Sequence, residues 1–439
     1  MRFVVFGLTV SSSWGNGHAT LWRALIRALG RLGHSVTFFE RDVPHYAKHR
    51  DLDRLEHGEL RFYEAWEPVI PEARAVLANA DVAIVTSYCP DGVAAAELVL
   101  DSRARCKVFY DLDTPVTLSL ARAGQRPAYL GPNGLGRFDL VLSFTGGAAL
   151  DELRSLLGAR RVAPLYGSVD PDVYRPAAPN EAFRADLSYL GPWAADRVQP
   201  MAALLVDVAR LRPERRFLVG GALYPASYPW PPNVARIEHV APPDHPAFFA
   251  SSRISLSLTR AVMASLGYCP SGRLFEAAAC GAAVVSDSFE GLDRFFAPGR
   301  ELIVARSTAD VLAALDRSDD ELARIGHAAR ERVLAEHTSD RRARELCAAL
   351  EGEGGSDAIG PLGPHESRNA RSLARDRITS CTLIAARARD RKRAIPRRAS
   401  PCSSSPSRSR RSVPRPPPAP RKSSRSSTIA SSTPAIDHS

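Results

Sequence analysis

The sequence predicts an α/β protein built from two doubly wound domains in series, followed by a segment with no core of its own. Three observations predict it. Short β-rich runs alternate with helical patterns through residues 1–351, the alternation restarts after a linker-like stretch at 167–179, and the composition changes abruptly past residue 351.

The first half reads in order. Residues 2–10 form an apolar strand, and 20–32 a helix with Leu21, Ala24, Leu25, Ala28, Leu29 and Leu32 on one face and Gly33 as its stop. Strands are expected at 35–40, 60–66, 81–88, 106–112 and 139–144, with helices at about 70–79, 91–101, 114–123 and 147–157. Strands that are apolar throughout and separated by helices indicate a parallel sheet covered on both faces. The second half repeats the plan. Strands fit 187–190, 216–219, 235–239, 254–258, 283–287 and 301–305, and helices fit 195–211, 245–251, 271–280, 308–315 and 319–350. The domains are therefore expected at 1–170 and 171–351. In such sheets ligands bind beyond the carboxyl ends of the strands, here in a cleft between the two domains.

The charge lies in the tail. Residues 352–439 carry 18 Lys and Arg against 6 Asp and Glu, out of 58 and 48 in the whole chain, so the body is slightly acidic and offers no bulk case for nucleic acid. The tail has no Phe, Trp or Tyr and is crowded with Ser, Pro and Arg, as in Ser400-Pro-Cys-Ser-Ser-Ser-Pro-Ser-Arg. It cannot bury enough apolar surface to offset its chain entropy, and disorder is expected over 352–439. Its partners are not specified by its residues. Seven cysteines without a Cys-x-x-Cys spacing fit reduced thiols in a cytoplasm. No apolar stretch is long enough to span a membrane, and the run 3–10 reads better as a buried strand than as a leader.

Three segments carry chemistry. The loop Ser11-Ser-Ser-Trp-Gly-Asn-Gly-His-Ala-Thr20 leaves the first strand and enters the first helix. Gly15 and Gly17 let backbone approach a ligand, the helix N-terminus favours an anion, and His18 can move a proton. Asp111-Leu-Asp113-Thr-Pro115 ends a strand, where Asp113 either caps the next helix or binds and deprotonates an acceptor hydroxyl. The segment Gly267 to Asp287 would open a helix at Ser271 toward the cleft, with Arg273 on its first turn as a planar cation and Glu276 one turn on. Arg260 is a second candidate cation, Gly291 gives backbone freedom to a loop that closes over the ligand, and Trp193 and Tyr224 are candidates for base stacking. Asp111 and Asp113 give no convincing metal site, so no metal and no cofactor are expected. A rival reading is an NAD-linked oxidoreductase. Gly15-Asn-Gly17-His-Ala-Thr20 approximates a dinucleotide fingerprint, and Glu40 lies at a suitable distance beyond it, but the third glycine is replaced by Thr20.

The segments PSGRLFEAAACGAAVVSD and FEGLDRFFAPGRELIVA resemble the nucleotide-sugar site of GT-B glycosyltransferases, and with SSSWGNGHATLW and YDLDTPVTL they resemble the CgeB-like branch, over about residues 1–350. The resemblance implies two Rossmann-like domains facing a cleft, with the nucleoside diphosphate sugar donor held mainly by the second, and with the loop of Gly15 and Gly17 in the first, acceptor-side domain approaching the donor phosphates and the acceptor. It places Glu276 at the donor ribose and Ser271 and Arg273 at the diphosphate. Many relatives carry a further glutamate eight positions before the second one. Here that position is Tyr268, so a binding protein without turnover is the alternative.

Overall fold

The computed structural model describes residues 1–352. The expected disorder of the tail, and Cys381 and Cys402, lie outside the described residues. The chain forms two parallel sheets within one compact unit. The first contains β1 (Arg2–Gly7), β2 (Ser35–Arg41), β3 (Gly58–Tyr63), β4 (Val82–Thr86), β5 (Cys106–Asp111), β6 (Leu140–Ser143) and β7 (Val162–Pro164), in the order β3-β2-β1-β4-β5-β6-β7. The second contains β8 (Ala185–Leu190), β9 (Phe217–Gly220), β10 (Val234–Ile237), β11 (Ser252–Ser257), β12 (Val284–Ser286) and β13 (Ile303–Val304), in the order β10-β9-β8-β11-β12-β13. Each sheet starts at its centre, runs to one edge, then crosses back. This doubly wound order places a switch point between β1 and β4, and another between β8 and β11.

The apolar runs explain why the sheets are buried on both faces. Along β1, Phe3 and Val5 enter one core with Trp22, Leu25 and Leu29, while Val4 and Phe6 enter the opposite core with Phe39 and Val85. Side chains of a strand alternate between faces, so a strand with a helix layer on each side must be apolar at every position. Burying one such side chain stabilises the fold by about 1.5–3 kcal/mol.

The structure departs from the expected elements at identifiable places. β1 ends at Gly7, so residues 8–17 are loop. β7, only three residues long, and the helix Ala261–Leu266 lack enough periodicity to be read from sequence. The expected helix over 319–350 is two helices, Asp319–Glu336 and Ser339–Glu351. Thr338 caps the second by accepting from the Arg341 amide, and the Val169 backbone bonds to His337 and Ser339 at the break. The last helix then packs on the first, His18–Arg31. No helix among the described residues is long and apolar enough to cross a membrane.

Candidate active site

The loop after β1 is shaped by Glu40 at the end of β2. Its buried carboxylate accepts from the Thr9 hydroxyl at 2.8 Å, the Val10 and Ser11 amides at 2.7 and 3.0 Å, and the Ser11 hydroxyl at 2.6 Å. A buried charge needs such a set of donors. The acid that a dinucleotide fingerprint would aim at a ribose is therefore occupied by the loop itself, which removes the main support for the oxidoreductase reading. Further along, Gly15 has φ of +67°, and a Cβ at Gly15 or Gly17 would meet nothing within 4 Å.

His18 opens the helix. Its Nε2 lies 3.0 Å from Asp113 Oδ2, and the same oxygen accepts from the Ser87 hydroxyl at 2.9 Å. Burial works against the Asp113 charge, but His18 and Ser87 hold its carboxyl below the usual range. An ionised Asp113 requires Nε2 to be the donor, so in the neutral ring Nδ1 carries the lone pair, and Nδ1 is buried with no partner among the described residues. Beneath the pair, Asp111 accepts from the Thr117 hydroxyl and the Asp113 amide. Burial, with the charge of Asp113, pushes its carboxyl up to about 7. Asp113 precedes the helix Thr114–Arg122 but makes no side-chain cap, which favours its partnership with His18 over the capping role.

The second lobe supplies cations. Ser271 caps the helix Gly272–Ala279 by accepting from the Arg273 amide at 3.3 Å. The Arg273 guanidinium pairs with Glu276, and it lies 3.2 Å from His245 Nδ1. His245 donates from Nε2 to the Val240 carbonyl at 3.0 Å. Burial, reinforced by the charge of Arg273, holds its pKa well below the usual histidine value, so the ring is neutral. Arg273 and Glu276 are thus paired with each other in the cavity wall. Arg260 pairs with Asp196 at 3.2 Å.

These groups meet in a cavity of about 280 Å³ between the lobes. Gly15, Gly17, His18 and Asp113 line it from the first lobe, and Arg260, Ser271, Arg273 and Glu276 from the second. Gly291 lies outside this lining. Its φ is +82°, and a Cβ there would strike the Tyr268 ring, so glycine serves backbone shape and packing. Trp193 and Tyr224 also lie outside the lining, and Tyr224 packs on Tyr228 and Trp230. The Tyr268 amide donates to Glu290 and its carbonyl accepts from Gly146, so Tyr268 ties the lobes together. Sequence reading missed Arg197, His239, His245 and Tyr88, which all line the cavity. For Arg197 the available signal was its position a few residues past the end of β8, at the switch point.

Comparison with known proteins agrees with this fold. Residues 197–348 match the model of a family described as glycosyl transferase-like. A sucrose-phosphate synthase from Thermosynechococcus elongatus superposes with a TM-score of 0.59 at 15% identity, over 80% of this chain and 98% of that one. Anabaena HepE in complex with UDP and glucose gives 0.58 at 13%, over 80% and 100%. An alpha-glucosyltransferase (AGT) in complex with UDP gives 0.59 at 14%, again over 80% and 100%. No curated protein matches the sequence. The chain therefore has the GT-B fold, two Rossmann-like α/β lobes facing a cleft, with a glycosyl transferase-like match over most of its second lobe.

Proposed function

We propose that this protein transfers a hexosyl group from a nucleoside diphosphate sugar to a hydroxyl acceptor, with His18 as the acceptor's base. The observation that carries this reading is the His18–Asp113 pair at 3.0 Å, facing Arg273 and Arg260 across one cavity. The acceptor O–H proton passes to the His18 ring, which lines the cavity. The acceptor oxygen forms a bond to the anomeric carbon. The bond from that carbon to the diphosphate oxygen breaks, and its electron pair leaves on the nucleoside diphosphate. Asp113 holds the ring and stabilises the imidazolium that forms. Arg273, Arg260 and the N–H groups at the start of the helix Gly272–Ala279 meet the diphosphate charge, so the reading needs no metal ion.

The neighbours bound to UDP, or to UDP and glucose, support uridine as the first base to try. One direct displacement inverts the anomeric carbon. The five described cysteines are free, which fits a cytoplasmic setting. The CgeB-like branch stays part of this proposal through the SSSWGNGHATLW and YDLDTPVTL segments.

The test is incubation of the full chain with UDP-glucose and a panel of alcohols, monitoring UDP release and the anomeric proton of the product. A β-glucoside supports the reading. An α-glucoside removes His18 from the role of base, and UDP binding without turnover favours the non-catalytic alternative.

A further inference from the structure

The geometry points to an acceptor that is an uncharged, largely apolar alcohol or phenol, and not a sugar chain; this rests on the proposed transfer reaction. The cavity has two unlike walls. Every arginine lining it, Arg197, Arg260 and Arg273, belongs to the second lobe. Among the described residues the first-lobe wall has no charged side chain besides the His18–Asp113 pair. Around that pair stand Leu21, Tyr88, Leu112 and Phe144, with Met263 opposite on the short helix that packs against Thr114–Arg122.

The polar side chains on this wall are turned to other work. Asn16 donates to the Ser12 and Trp14 carbonyls and accepts from the Ala19 amide. Thr20 donates to the Gly17 carbonyl, and the Ser13 hydroxyl donates to Asp51. Only Ser168 adds a hydroxyl with no such bond among the described residues. A sugar acceptor brings several hydroxyls, each of which loses water on entry and needs a partner. Beside the His18–Asp113 pair and the Ser168 hydroxyl this wall offers few free donors and much apolar surface, which matches one reactive hydroxyl on an apolar body. Tyr88 adds a second indication. Its φ is +57°, a conformation that costs a tyrosine energy, and the strained residue stands beside His18 with ring centroids 6.4 Å apart.

The experiment titrates 4-methylumbelliferone, a fluorescent phenol, into the full chain with UDP present, and repeats it with Leu21→Gln and Met263→Gln. Both positions are only partly buried, and the melting temperature of each variant without ligand reports whether it folds. Expected is saturable binding that either variant weakens by about tenfold, from lost apolar contact, and that neither maltose nor a duplex DNA 13-mer displaces. Overturning results are displacement by maltose or by the DNA, no binding of the phenol, or native-like binding by both variants. A UDP thermal shift on the same samples judges the donor site separately. A shift without phenol binding sinks this inference alone, and phenol binding without a shift sinks the donor reading alone.

Discussion

The two lobes use one topology for opposite chemistry. Both place their loops at the carboxyl ends of a parallel sheet and at its switch point. The first lobe presents a single His–Asp pair in apolar surroundings, while the second presents Arg197, Arg260 and Arg273. The difference lies in the residues carried after β1 and β5 as against those carried after β8 and β11. On the proposed reading, one backbone plan yields a base for an alcohol on one side and a cradle for an anion on the other.

The largest expected effect breaks the first wall. His18→Ala should lower transfer by about 10²–10⁴-fold while UDP affinity stays within about twofold. Asp113→Asn removes the charge that fixes the ring, and its loss in kcat should be about 10²–10³-fold, again with UDP affinity retained. The second wall answers differently. Arg197→Ala deletes a cation whose Nε has no partner among the described residues, and UDP binding should weaken by about 1.5–3 kcal/mol, read by calorimetry.

Two milder changes sharpen the comparison through stability. Glu40→Gln puts an amide among four donors, and urea unfolding should show a loss of about 1–3 kcal/mol. Asp111 offers a pH test. Its carboxyl is raised from 3.8 to about 7 in the folded protein, so the fold favours the protonated form. That contribution is full below the unfolded value and is lost as pH rises through about 7. Asp111→Asn, which mimics the neutral acid, should flatten the fall in urea midpoint between pH 4 and 8. An unchanged slope would show that Asp111 does not titrate in this window.

Much of this was legible in the sequence because it rests on local signals. Apolar runs gave the sheets, and strand-loop-helix transitions marked His18, Asp113 and Ser271. The parts that were not legible depend on long-range partners. Nothing local announces that Glu40 folds back on the loop 9–11, or that Val169 breaks a helix at His337. Tyr88 adopts φ of +57° without a glycine to signal it. Arg273 and Glu276 were each legible as site residues, but their mutual pairing inside the cavity was not distinguishable from an ordinary surface pair three residues apart.

The central claim is that the lobes divide donor binding from acceptor chemistry. Calorimetric titration of UDP into the native chain, His18→Ala and Arg273→Ala tests it most directly. The division predicts native-like affinity for His18→Ala and at least about a tenfold loss for Arg273→Ala, which removes a cation and leaves Glu276 facing the diphosphate. Equal losses in the two variants, or a loss confined to His18→Ala, would contradict it.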